Sequence, residues 1–296
     1  MMLFFLMLVY LDGHFVPRDQ ALVSVFDHGF LYGDGIYETM RAYDGHLFLL
    51  NKHLARLKRS AKAISLKLPV PIEKIAEALN ESLIVNKLMN AYVRLHISRG
   101  PGEIGLDPAL CTWPTIVIAV KPFHDYPQEY YERGIKVAIV KTRRNHPSAL
   151  PPSVKGTNFL NNILAKIESI KAGATEGIML NWEGYVAEGT ISNIFLVKKG
   201  VLLTPHVKTG ILEGVTRDLV LRLAKKKRVP VKEQLITPKM LFAANECFIT
   251  NTTMEIMPVA TIDKKHIATS GPGPVTQLLH EAYRKEVLAC STMQAV

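Results

Sequence analysis

Lys155 stands in Pro152-Ser153-Val154-Lys155-Gly156-Thr157-Asn158, a setting that suits covalent chemistry. It follows prolines, neighbours a glycine and precedes a predicted helix, so backbone geometry holds it instead of letting it trail into solvent. A lysine held this way and partly desolvated can form a Schiff base with a carbonyl cofactor. Glu188-Gly189-Thr190 follows on a separate segment. A carboxylate placed there can hold a protonated ring nitrogen and turn that ring into an electron sink.

Three further stretches can bind anions. Arg56, in His53-Leu54-Ala55-Arg56-Leu57, lies beside an apolar stripe. Its guanidinium fork suits a phosphate, though an arginine snorkelling at the edge of a core fits the position as well. Gly210-Ile211-Leu212-Glu213-Gly214-Val215-Thr216-Arg217-Asp218 runs straight into a helix. The free amides of Val215 and Thr216 would open that helix as an anion site, or Thr216 would cap an ordinary loop. Asn251-Thr252-Thr253-Met254-Glu255 is a turn rich in small hydroxyls that can bind a phosphate or a carboxylate. Tyr32-Gly33-Asp34-Gly35-Ile36-Tyr37-Glu38 lacks dinucleotide-fingerprint spacing and precedes a strand. No GKS/T loop, HExxH or GxSxG occurs, which removes the common nucleotide, zinc and serine-hydrolase chemistries.

These residues need a scaffold, and the periodicities supply one. Val9 to Val16 and Tyr37 to Leu50 read as hairpins turning at Asp12-Gly13 and Asp44-Gly45. Leu54, Leu57, Ala61 and Ile64 share helical spacing, as do Ile72, Ile75, Leu79 and Leu83. Ala91 to Ser98 and Thr115 to Val120 read as strands around a Gly- and Pro-rich loop, Arg99 to Pro108. After Ile135 to Val140, a helix places Phe159, Leu160, Ile163, Leu164 and Ile167 on one face. Short strands then run from Ile178 to Thr204. A helix from Thr216 to about Lys226 follows, then a short one at Pro238 capped by Thr237, strands to Ile262, and a last helix over Val275 to Val287. Helices in blocks beside mostly antiparallel strands mean an α+β fold. The expected organisation is a small N-terminal α+β domain over 1–121, a linker over 122–133 carrying two prolines, and a larger domain over 134–296.

Composition narrows the class. The 296 residues, 48% hydrophobic, can fill two cores without disulfides. Cys111, Cys247 and Cys290 are far apart, with no CxxC pair and no zinc spacing, so free thiols in a reducing cytoplasm are expected and no metal. The net charge of +10 suits anionic small molecules. Its main basic cluster, Lys225 to Arg228, closes a helix and offsets the helix dipole, so no nucleic-acid partner is expected. The apolar start, Met1 to Val9, lacks a signal peptide's positive end and cleavage site and is shorter than the ~20 residues of a membrane helix, so no membrane partner is expected. An extended first strand or an early start codon is the expected account of it.

Taken together, the chain resembles the class IV aminotransferases, the fold-type IV pyridoxal-phosphate enzymes. The matching segments are Phe26 to Gly35, His53 to Leu57, Lys155 to Lys166, Tyr185 to Phe195, Leu212 to Asp218 and Phe248 to Val259, in order along nearly the whole chain. The resemblance implies the two-domain D-amino-acid-aminotransferase-like fold, with pyridoxal 5'-phosphate as cofactor. It implies Lys155 as Schiff-base lysine and proton shuttle, and Glu188 as partner of the pyridine nitrogen. Arg56 and the amides of Val215 and Thr216, with Thr252, would hold the phosphate. Thr252 and Thr253 would receive the substrate carboxylate, and Tyr32, Tyr37, Tyr92 and Arg94 would line the substrate pocket, some across a homodimer interface.

The implied reaction is a ping-pong transamination between amino acids and 2-oxo acids. Tyr92-Val93-Arg94-Leu95, Gly105-Leu106-Asp107-Pro108 and Arg41-Ala42-Tyr43 resemble the branched-chain enzymes, which points to leucine, isoleucine and valine with 2-oxoglutarate. Phe159 stands where those enzymes usually place a tyrosine, and Glu38-Thr39-Met40 replaces their usual Glu-Gly-Ile/Thr. The D-amino-acid members carry an Arg-x-His carboxylate trap after the Arg-Gly pair; here that loop reads Pro101-Gly102-Glu103-Ile104. Yet Thr252 to Ile256 resembles the D-specific enzymes, which are the alternative, and aminodeoxychorismate lyase is a third relative.

Overall fold

The computed structural model describes residues 7–267 and 271–293. Residues 1–6 of the apolar start lie outside the described residues, whereas Leu8 already belongs to the first strand. The described residues divide into two compact units. One takes those within Met1–His124, Val154–Asn158 and Ala289–Val296; the other takes Asp125–Ser153 and Phe159–Leu288. Among the described residues no helix is long and apolar enough to cross a membrane.

The first unit contains β1 (Leu8–Leu11), β2 (His14–Pro17), α1 (His28–Tyr32), β3 (Gly35–Tyr43), β4 (His46–Leu47), α2 (Leu50–Ala63), α3 (Ile72–Val85), β5 (Ala91–Ser98) and β6 (Ile116–Pro122). Its antiparallel sheet has the order β2-β1-β6-β5-β3-β4. The period-2 pattern of β5 sends Ala91, Val93, Leu95 and Ile97 into the core. Leu54, Leu57 and Ala61 of α2, with Ile75, Leu79 and Leu83 of α3, belong to the same core cluster. Tyr92, Arg94 and His96 occupy the alternate, half-buried positions. The second hairpin is shorter than expected: Leu49 turns left-handed (φ 56°) and caps α2, so Leu50 starts a helix instead of ending a strand.

The second unit contains α4 (Gln128–Arg133), β7 (Ile135–Ile139), α5 (Leu160–Lys171), β8 (Glu176–Leu180), β9 (Val186–Gly189), β10 (Asn193–Lys198), β11 (Val201–Pro205), α6 (Val215–Lys226), β12 (Val231–Gln234), α7 (Pro238–Phe242), β13 (Glu246–Asn251), β14 (Glu255–Ile262), β15 (Lys265–His266) and α8 (Pro274–Met293). A sheet of order β12-β11-β10-β13-β14-β7-β8-β9 runs through it, with β15 on β14. Three of its pairings are parallel and the others antiparallel. Ile178, Ile194, Leu196, Ile249 and Met257 fill its core. Thr237 caps α7 through Met240 N at 3.2 Å, with Pro238 in the first turn as expected. The stretch read as linker holds α4.

The apolar stripe of α5 faces outward. Leu160, Ile163, Leu164, Ile167 and Ile170 are exposed, while Ala165 and Ser169 are fully buried. The cause is close packing on β8: a Cβ on Gly177 would sit 3.1 Å from Ser169 Cβ and 3.2 Å from the Ala165 carbonyl. Only small side chains fit at that contact, so the large ones turn away.

Candidate active site

Lys155 is positioned by a strand edge. β4 pairs with β3 only at Ala42 and Tyr43, which leaves the first half of that edge open. The segment Val154–Asn158 fills it: Tyr37 N donates to Lys155 O and Thr157 N to Gly35 O, both at 3.0 Å. Lys155 N donates to Ser60 Oγ of α2 at 3.1 Å. The backbone of the lysine is therefore bonded on both sides, and its Nζ donates to Tyr37 Oη at 3.0 Å. The pairing needs glycine at 35, because a Cβ there would meet the Ile97 carbonyl at 2.9 Å and Thr157 Oγ1 at 3.3 Å. Gly156 carries no such constraint, since its Cβ would find only Gly35 O, at 3.6 Å, and Val154 Cγ1, at 3.8 Å.

Arg56 is buried, 4% exposed, and commits two of its nitrogens to one carboxylate. Its Nε and Nη2 donate to Glu38 Oε1 and Oε2 at 2.8 and 2.7 Å, and His53 Nδ1 bonds the same Oε2 at 2.8 Å. Burial alone would raise the Glu38 carboxyl, but the Arg56 charge and the bonds from Arg56 and His53 prevail and hold it at about 2. Burial pushes the His53 imidazole down against the pull of Glu38, and the charges of Arg56 and Lys155 push the same way. Lys155 is thus close enough to act on this cluster.

In the second unit the candidate residues meet at one end of the sheet. Glu188 belongs to β9 and is 5% exposed. Its Oε1 accepts from Arg144 Nε at 2.7 Å; its Oε2 accepts from Leu212 N at 3.0 Å and Asn193 Nδ2 at 3.2 Å. Asn193 also donates to Leu212 O at 3.0 Å, which ties the loop before α6 to the carboxylate. Gly214 caps α6 without a side-chain bond, so the amides of Val215 and Thr216 keep no helical acceptor. A Cβ on Gly214 would lie 2.0 Å from Asn193 Oδ1, so no side chain can take that position. Asn193 pairs with Thr250, which brings the turn after β13 beside the start of β10. In that turn Asn251 Oδ1 accepts from Thr253 N at 2.9 Å and Met254 N at 2.7 Å, with Thr252 half-buried beside them.

Near Glu188 lies a second buried carboxylate. Glu176 accepts from Gly177 N, Thr190 N, Thr190 Oγ1 and Ser192 Oγ, at 2.5–3.2 Å, and so fixes the loop that leaves β9.

The expected pocket residues of the first unit divide. Tyr37, Tyr92 and Arg94 share a face: Arg94 Nη1 donates to Thr39 Oγ1 at 3.2 Å, Tyr92 Oη lies 3.5 Å from the same oxygen, and the Arg94 guanidinium covers the Tyr37 ring at 3.6 Å. Tyr32 instead accepts from Gly105 N at 3.1 Å and steadies the loop after β5. Sequence reasoning missed Glu38, Arg144, Asn193 and Glu176 as supports. Glu38 alone carried a signal, a carboxylate within a run of buried strand residues.

The donor set fits a phosphorylated pyridine aldehyde. Taken separately, the first unit offers an ordered primary amine, and the second offers a salt-bridged carboxylate for a ring nitrogen and a helix start for a phosphate. Comparison with known proteins agrees. The class IV amino-transferase model matches residues 35–262. A putative branched-chain-amino-acid aminotransferase of Methanocaldococcus jannaschii is 45% identical over 94% of this chain and 96% of its own length. A D-alanine aminotransferase of Staphylococcus haemolyticus is 34% identical over 94% of this chain and 97% of its own. The T.th. branched-chain amino acid aminotransferase, solved with pyridoxamine 5'-phosphate, superposes with a TM-score of 0.92 at 33% identity, covering 96% of this chain and 94% of that one. The chain therefore belongs to the class IV aminotransferases, with their fold-type IV α+β architecture, and is a pyridoxal-phosphate-dependent transferase.

Proposed function

We propose that this protein transaminates branched-chain L-amino acids with 2-oxoglutarate by a ping-pong mechanism. The observation that carries the chemistry is the ordered amine of Lys155, bonded to Tyr37 on a backbone pinned at both sides. When bound, pyridoxal phosphate supplies a protonated ring that takes up the electron pair left as the substrate Cα–H bond breaks. Lys155 Nζ anchors the cofactor, then takes the Cα proton as base and returns it as acid. Glu188 keeps a proton on the ring nitrogen, while Arg144 and Asn193 keep Glu188 aimed. The amides of Val215 and Thr216 bind the phosphate with Arg56 and Thr252. Thr252 and Thr253 receive the substrate carboxylate, and Tyr32, Tyr37, Tyr92 and Arg94 line the side-chain pocket.

The branched-chain preference follows the 45% identity to the M. jannaschii relative. The D-amino-acid alternative rests on the S. haemolyticus relative and on the Thr252–Ile256 turn. Against it, residues 101–107 contain neither arginine nor histidine for a carboxylate trap. The working form is a homodimer, because α5 leaves a continuous stripe from Leu160 to Ile170 exposed, a surface suited to association. The free thiols of Cys111, Cys247 and Cys290 suit a cytoplasmic enzyme.

The test is the half-reaction. L-leucine, L-isoleucine and L-valine should each bleach the bound cofactor's visible absorbance, and 2-oxoglutarate should restore it. Bleaching by D-alanine and not by L-leucine would establish the alternative.

A further inference from the structure

Arg94 and Arg56 belong to the same unit and are held by different means. Glu38, a carboxylate, sets against the charge of Arg56. Two bonds that orient Arg94 come instead from neutral groups. Antiparallel register puts Thr39 opposite Arg94 and Tyr37 opposite His96. Arg94 Nε donates to His96 Nε2 at 2.6 Å, and Nη1 donates to Thr39 Oγ1 at 3.2 Å. The guanidinium lies over the Tyr37 ring at 3.6 Å, and that ring stacks on His96 at 5.8 Å between centroids and 27° between planes. Tyr37 in turn accepts from Lys155 Nζ at 3.0 Å. A planar cation is thereby fixed one residue away from the reacting amine.

His96 can do this only with a free lone pair on Nε2, since a proton there would face the Arg94 N–H. Burial first, and the Arg94 charge second, push its imidazole down to about 4, so near neutral pH it is the uncharged acceptor. An acceptor of this kind removes the freedom of a long side chain without adding a negative charge. The fork can then meet a second carboxylate, as an acidic 2-oxo acid carries, and a branched aliphatic acid lacks that group.

We infer that His96 is a positioning residue: by accepting from Arg94 it fixes the guanidinium and sets the preference for dicarboxylic over monocarboxylic 2-oxo acids. This rests on the proposal that Arg94 lines the substrate pocket. The test uses holoenzyme and the variants His96→Phe, which keeps a ring against Tyr37 but cannot accept, and His96→Gln, whose carbonyl can. Two quantities are measured: KM for 2-oxoglutarate against KM for 4-methyl-2-oxopentanoate, and equilibrium binding of glutarate against 4-methylpentanoate by calorimetry. His96→Phe should weaken both dicarboxylates about tenfold, the scale of a lost bond to a charged group, and change both monocarboxylates less than about twofold. His96→Gln should recover most of the loss. If His96→Phe does not fold, His96→Leu replaces it with the same expectation. Equal effects on both classes of acid, or none, would overturn the assignment. Turnover of leucine with 2-oxoglutarate and an unchanged preference in His96→Phe would sink the role of His96 alone. A His96-dependent preference for glutarate in an enzyme inert toward leucine would keep that role and sink the branched-chain proposal.

Discussion

Replacing Glu38 with glutamine should destabilise the first unit by about 3 kcal/mol at pH 7. The side chain is 0% exposed and joins Arg56, at 4%, and His53, at 1%. Glutamine keeps the shape but loses the charge, which leaves the Arg56 cation buried beside a neutral amide. Removing one partner of a buried ion pair costs roughly 3–5 kcal/mol. The depression of the Glu38 carboxyl gives a second, order-of-magnitude route. Glu38 is held at about 2 against an ordinary 4.5; a gap of about 2.5 at 1.36 kcal/mol per unit is about 3 kcal/mol. The two routes agree.

The sign also follows. A carboxyl whose pKa is depressed by folding stabilises fully above its unfolded value and loses that contribution as pH falls through the folded one. The difference between wild type and Glu38→Gln should therefore be constant from pH 7 to about 5.5, and more than half of it should be gone by pH 3. Urea unfolding across that range measures it. Trp113 belongs to the first unit and Trp182 to the second, so a Trp182→Phe background makes fluorescence report on the unit concerned. The double variant Glu38→Met/Arg56→Met should lie closer to wild type than the single one, because no charge is orphaned. A single-variant loss under about 1 kcal/mol, or a difference that widens as pH falls, would refute the reasoning.

Other expectations follow from the same contacts. Borohydride reduction of the holoenzyme should fix the cofactor on the peptide containing Lys155, and Lys155→Ala should lose turnover by at least about a thousandfold with an unchanged melting profile, since the side chain is only half-buried. Tyr37→Phe removes the hydroxyl at 3.0 Å from Lys155 Nζ and should slow the half-reaction about tenfold or less, read by stopped-flow absorbance. Glu188→Gln should lower kcat about a hundredfold and also cost stability, because Arg144 loses its partner at 2.7 Å; steady-state kinetics and urea unfolding read the two effects separately. Gly214→Ala forces a Cβ against Asn193 Oδ1 and should weaken cofactor affinity, measured by fluorescence titration, more than any alanine placed on the exposed face of α6.

Local signals made much of the fold legible. The hairpin at Asp12-Gly13 is read from turn chemistry, the stripes of α2 and α3 from period, and the start of α7 from Thr237 and Pro238. Each of these depends on neighbours in sequence. The supports of the site depend on register instead: Glu38 and Arg56 are 18 positions apart, Arg144 and Glu188 are 44, and Lys155 and Tyr37 are 118. No short window of sequence contains such a pair. The α5 stripe shows the same limit from another side. Period identifies the apolar face, but the contact with Gly177 selects the small-residue face for the interior.

The two arginines of the first unit make the point sharpest. Arg56 and Arg94 are the same residue type, the first expected at a phosphate and the second in the substrate pocket, and each has a histidine within three positions. Their chemistry is decided by the partners that the fold gives them. A carboxylate 18 positions away binds Arg56 through two nitrogens and is itself buried, so disturbing Glu38 must disturb any phosphate contact Arg56 makes. An imidazole two positions away orients Arg94 and adds no negative charge. An anion arriving at Arg56 must therefore share it with Glu38. Glu38→Gln should on this account tighten the hold of Arg56 on free phosphate ions in the apoprotein even as it weakens the fold, and phosphate titration of folded apoprotein reads the two apart; weaker phosphate binding in the variant would mean that Glu38 aims Arg56 instead of competing for it.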